Sequence, residues 1–166
     1  MPVISEESRL NEMRRLGLSE PVIRLSAGEI IHDLFRYEEA PYYVYHDAEV
    51  PDGPDLIPLW DGSDMVTGVW EKDGRLEFIR FCIESPHEFS VLAKTEQGLL
   101  ATLFIQYYEF TDGEAGSLRE PARLIGFRFL DELVASYESL SHKTSEEHDT
   151  FVRKFVAQID QRHGSM

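Results

Sequence analysis

Cysteine is nearly absent. Cys82 stands alone in 166 residues, so the chain forms no internal disulfide and no zinc site of the CxxC type. Basic side chains are also sparse: 16 Lys and Arg face 31 Asp and Glu, a formal net charge of −15. That excess repels phosphate backbones and anionic lipid, which argues against nucleic acid or a membrane surface as partner. Long apolar runs are missing as well. The stretch from Leu99 to Ile105 is interrupted by Thr102 and is far too short to span a bilayer. The opening Met-Pro-Val-Ile-Ser-Glu-Glu has neither the basic start nor the apolar core of a secretory signal, so a cytoplasmic location is expected.

Motifs that carry chemistry are missing in turn. There is no GxxxxGK[ST] loop to cradle phosphate, and Gly62-Ser63 lacks the second glycine of a GxSxG nucleophile elbow. No two histidines sit at i, i+4 with an acid between them. His142 and His148 flank an acidic helix start (Glu146, Glu147, Asp149), which reads as a first turn favouring the helix dipole rather than as a metal site. Asp52-Gly53-Pro54-Asp55 and Asp61-Gly62-Ser63-Asp64 lack the alternating acids and distal glutamate of a calcium loop, and turn chemistry accounts for both. Cys82 has no neighbouring His or Lys to support a thiolate, only Arg80 two residues away. No catalytic residue, metal or cofactor is therefore expected.

What is present is the signature of a folded domain. Hydrophobic residues make up 42% of the chain, an ordinary globular value. Ser or Thr followed three residues later by Glu, the capping box, occurs at Ser26/Glu29, Ser85/Glu88, Ser117/Glu120 and Thr144/Glu147. Each precedes apolar residues at helical spacing, and Pro86 would sit at the first position of the second helix. A further helix is expected over Glu6 to Leu16, ending at Gly17, and Gly98 is placed to bend or break the helix that follows Ser85. Between these lie short strand-like runs: Tyr42 to Tyr45, Leu56 to Trp60, Val66 to Trp70 and Leu76 to Ile83. The last two flank a Lys72-Asp73-Gly74 turn. The expected fold is a single α+β domain over residues 1–166. A small, mainly antiparallel sheet of about four strands lies between N-terminal helices and three C-terminal helices, and the tail frays after Gln161.

One stretch stands out. From Tyr37 to Glu71 there are nine acids and no Lys or Arg, together with four tyrosines and both tryptophans. Carboxylates attract and orient a basic partner at long range, and Tyr and Trp supply desolvated anchors. The residues assigned to such a face are Asp47, Glu49, Asp52, Asp55, Asp61 and Asp64 for steering, with Tyr45 and Trp60 as anchors.

The run Leu56-Ile57-Pro58-Leu59-Trp60-Asp61-Gly62-Ser63-Asp64, the hairpin from Val66 to Ile83 and the helix expected from Ser85 together resemble the SUKH superfamily, the SMI1/KNR4-like fold, over about Glu29 to Phe110. The resemblance implies N-terminal helices, a strand entering a Pro-Leu…Asp-Gly turn, a small antiparallel sheet and flanking helices. Many members are bacterial immunity proteins, which implies a non-catalytic protein that neutralises a basic partner such as a nuclease toxin domain. The residues leave two other readings open. One is a small enzyme or ligand-binding protein with a pocket between sheet and helices, using Cys82, His46 or paired acids. The other is a homodimeric structural or regulatory scaffold, joined through strand edges or the Phe127/Phe151/Phe155 helices.

Overall fold

A computed structural model describes residues 3–46, 49–140 and 144–164. The α+β expectation holds: a four-stranded antiparallel sheet lies mid-chain with helices before and after it. The chain divides into two compact units, Met1–Leu92 and Ala93–Met166.

In the first unit, α1 (Arg9–Arg15) and α2 (Glu20–Ser26) precede a meander of β1 (Ile57–Gly62), β2 (Met65–Lys72), β3 (Arg75–Cys82) and β4 (Ser85–Ala93), in spatial order β1-β2-β3-β4. The β2–β3 turn forms where expected. Lys72 pairs with Arg75, and Asp73 and Gly74 take φ of 54° and 76°, the left-handed pair that a tight two-residue hairpin requires. Val44, Val50, Leu56, Val66, Trp70, Ile79 and Phe81 form one core cluster. Phe78, which points to the opposite face from Ile79, is buried as well.

β1 is an edge strand whose outer side is covered by four separate segments. Ile4 N donates to Leu56 O at 3.0 Å. A bulge between Pro58 and Trp60 frees two carbonyls. Arg9 Nη1 donates to Pro58 O at 3.3 Å, and Ser26 Oγ donates to Leu59 O at 2.6 Å. Glu39 and Asp61 exchange backbone hydrogen bonds of 2.8 Å in both directions. Buried Arg9 also bonds the hydroxyl and carbonyl of Ser26, which gives both Ser26 oxygens a partner inside the fold.

Three helix starts differ from the sequence expectation. Ser26 ends α2 instead of starting a helix: Gly28 takes φ +93° just beyond it, and Glu29 pairs with Arg24 at 2.5 and 2.8 Å. Ser85 opens β4. A chain that reverses across Ile83-Glu84 lands on the open edge of β3, and sheet pairing there outweighs a four-residue cap signal. Pro86 is tolerated because β4 is an edge strand. Ser117 lies in a 3-10 turn, its hydroxyl on Glu114 O at 2.8 Å, and the helix beyond it is split by Gly126 at φ +85°.

Among its described residues the second unit therefore holds four α-helices where three were expected: α3 (Glu96–Phe110), α4 (Arg119–Ile125), α5 (Leu130–Glu138) and α6 (Ser145–Gly164). α6 continues past Gln161, and its start is capped as expected, Glu147 N donating to Thr144 Oγ1 at 3.1 Å. α3 is buried nearly all round, so it forms the centre of this unit. Gly98 neither bends nor breaks it. The glycine lies in its first turn, donating to the cap Thr95 Oγ1 at 3.0 Å. Asp160 of α6 accepts from Lys94 N at 2.9 Å, Thr95 N at 3.1 Å and Thr95 Oγ1 at 2.6 Å. Buried Gln97 holds the α4–α5 turn, donating to Gly126 O at 2.8 Å and accepting from Arg128 N at 3.0 Å.

Candidate functional site

The segment from Tyr37 to Tyr43 meets the residues from Asp61 to Met65 at one end of the sheet. β1 and β2 are joined there by Ser63-Asp64, with Gly62 opposite Met65 and Ser63 at φ 56°. Ile83 N donates to Asp64 O at 2.9 Å, so the β3–β4 turn lies at the same end. The chain from Tyr37 to Tyr43 wraps over Asp61 and Gly62. A side chain on Gly62 would lie 3.1 Å from Tyr37 O.

Asp61 organises this wrap. It is only 3% exposed, and its Oδ2 accepts from Tyr42 N at 2.8 Å and Tyr43 N at 3.0 Å. The carboxylate thereby supplies the partners that a neighbouring strand would have supplied. Tyr43–Tyr45 closes into a 3-10 turn rather than the expected strand. Burial raises the Asp61 carboxyl above its ordinary value, against the two backbone N–H groups that favour its charge. Its Oδ1 and the Nε of Arg9 are buried without hydrogen-bond partners.

The assigned residues separate into two sets. Glu49, Asp52, Asp55 and Asp64 are exposed. Glu49 Oε2 and Asp52 Oδ2 lie 3.5 and 3.7 Å from the two ring nitrogens of His87 on β4, and Asp64 Oδ2 accepts from Cys82 Sγ at 3.7 Å. Asp47 lies outside the described residues. Trp60, at 3% exposure, and Asp61 are interior groups, which corrects the anchor and steering roles given to them. Tyr45 is half-buried against the core cluster and its hydroxyl donates to Ile4 O at 3.1 Å; burial pushes that hydroxyl up to about 12. Part of its ring therefore packs inward, against the core cluster.

The exposed rings are Tyr37 and Tyr42, at 60% and 58%. Tyr42 stacks on His46 with centroids 3.7 Å apart, and His46 Nδ1 lies 2.8 Å from Tyr42 O. The Arg36 guanidinium lies 4.6 Å from the Tyr37 ring centroid and pairs with Asp33 at 2.9 Å. In the sequence, the Glu38-Glu39 pair beside Tyr37 is the signal that marks this ring as solvent-facing.

Exposed carboxylates attract cationic side chains, and exposed phenol rings can contact them, one face of Tyr37 already carrying Arg36 and one face of Tyr42 already carrying His46. Nucleophilic chemistry has less support here. The thiol of Cys82 faces a carboxylate, and the ring of His46 is stacked on Tyr42. Among the described residues no three His, Cys, Asp or Glu side chains are grouped to hold a metal ion, and no helix is long and apolar enough to cross a membrane. Comparison of the chain with protein-family models, with curated proteins and with solved structures finds no match in any of the three.

Proposed function

We propose that this chain is a non-catalytic, cytoplasmic binding domain that captures a basic protein partner, acting as immunity-type proteins act on toxin domains. The observation that carries this reading is the exposure of Glu39, Glu49, Asp52, Asp55 and Asp64, together with that of Tyr37 and Tyr42, in a stretch without one Lys or Arg. Surface acids accelerate encounter with a cationic partner, and exposed tyrosines give it a place to desolvate. The sequence resemblance to the SUKH superfamily points to the same class of activity.

The test uses a basic protein encoded beside this chain, with association followed by stopped flow at increasing salt. Steering by exposed acids gives an association rate that falls at least about tenfold between low and high salt, since the charges are screened beyond about 8–10 Å at physiological ionic strength. Reversing Glu49, Asp52 and Asp64 to Lys lowers the low-salt rate by a similar factor while the far-ultraviolet spectrum stays unchanged. A rate indifferent to both salt and reversal refutes the function.

A further inference from the structure

The two edges of the sheet are treated in opposite ways. On β1, four segments satisfy the outer backbone groups. On β4, among the described residues, no backbone group outside the sheet bonds the strand at all. β4 is also the longest strand, nine residues or about 30 Å. His87 and Glu88 are both exposed, as are Ser90 and Val91, the last at 45%. Successive residues point to opposite faces, so the strand meets solvent on both sides. Protected edges carry charged side chains (Lys above all), Pro, a bulge or a covering segment; β4 carries no Lys or Arg, and has Pro86 close to its start and one charged residue, Glu88. Glu49 and Asp52 stand beside His87 on one face of the strand, and Glu88, the next residue, places a third carboxylate on the other.

We infer that β4 is the docking edge, to which the partner adds an extended, basic segment as a fifth strand. This rests on the basic-partner function and gives it a mode. Main-chain hydrogen bonds along β4 supply affinity, and the carboxylates of Glu49, Asp52 and Glu88 select Arg or Lys side chains on the added strand. A second copy of the chain is a poor occupant, because self-pairing would bring two molecules of net charge −15 together and align their acids.

The probe is a synthetic peptide of alternating Arg and Val matched to the nine residues of β4, added to the full chain. Two relatives serve as controls: a Glu-Val peptide, and the Arg-Val peptide N-methylated on alternate amides along one edge, equal in charge but unable to complete a ladder. Expected are saturable binding of the Arg-Val peptide, slowed amide exchange at alternate residues within 85–93, and at least about tenfold weaker binding of both controls. Glu49→Lys/Glu88→Lys weakens the Arg-Val peptide by a similar factor. Equal binding of the methylated and unmethylated peptides, or no slowing in β4, overturns strand addition while leaving the basic-partner function standing. Equal binding of the Glu-Val peptide with β4 protected refutes the basic-partner function itself. Protection of β4 that rises with protein concentration and without peptide shows a second copy on the edge, and overturns the inference.

Discussion

Replacing Gly98 by Ala should destabilise the protein, although Ala is the better helix former. In a helix interior the change gains about 1 kcal/mol. At this position a Cβ would fall 2.2 Å from Asp160 Oδ1 and 3.0 Å from both Asp160 Cγ and Ala93 Cβ, so the carboxylate must leave. Leaving breaks its three bonds to Lys94 N, Thr95 N and Thr95 Oγ1. Bonds to a charged group contribute about 1.5–3 kcal/mol each, and water reaching this partly buried carboxylate's partners once it leaves brings each nearer to about 1. The balance is a loss of about 2 kcal/mol, a factor of about 30 in the folding constant.

The partner variant separates this from a general intolerance of the site. In an Asp160→Ala background the obstacle is gone, and Gly98→Ala should be neutral or stabilising by up to about 1 kcal/mol, the remaining close contact being Ala93. The double-mutant cycle should therefore show about 2–3 kcal/mol of coupling. Urea unfolding followed at 222 nm reports it, since α3 and α6 are the two longest helices. A Gly98→Ala protein more stable than wild type would refute the reasoning, because propensity would then have outweighed the displaced carboxylate.

Asp61→Asn bears on the buried acid. Because burial raises its carboxyl, the folded chain binds that proton more readily than the unfolded chain, and the stability this group contributes falls as pH climbs from about 4 through the raised value. Asparagine is neutral throughout and keeps one oxygen for Tyr42 N and Tyr43 N, so its urea midpoint relative to wild type should improve between pH 4 and pH 7; a relative decline would contradict the burial argument. Ser26→Ala removes the hydroxyl that serves Leu59 O and leaves buried Arg9 with one partner fewer, at a loss of about 2–3 kcal/mol by the same assay, and a change under about 0.5 kcal/mol would show that water covers the β1 edge equally well.

How much of this could be read in the sequence depended on whether the deciding contact was local. The Asp73-Gly74 turn was legible because its two left-handed residues lie side by side in the chain. Thr144 does cap a helix, and Ser85 does not, although both have the same four-residue pattern; the open edge of β3 decided the second, and nothing between Ser85 and Glu88 records that edge. Ser26 carried its own warning, since Gly28 follows within two residues. Four strands were expected and four are present, but Ser85–Ala93 takes the place of Tyr42 to Tyr45. The outward acids were legible as a group. Asp61 and Asp64 look alike in sequence, three residues apart on one turn, and differ only because the chain from Tyr37 to Tyr43 covers the first.

That difference divides the negative charge of this stretch between two tasks. Asp61 acts inward: it fixes the backbone of Tyr42 and Tyr43 and so sets where the exposed Tyr42 ring stands. Glu49, Asp52, Asp55 and Asp64 act outward, through a field that salt can screen. Under the proposed function, neutralising an outer acid should therefore change mainly how fast a basic partner arrives, because long-range attraction acts before contact. Disturbing Asp61 should change mainly how long the partner stays, because a misplaced Tyr42 ring is felt only in the formed complex. An acid count of one sign is thus not one determinant but two, and it is burial, invisible in the composition, that assigns each carboxylate to its task.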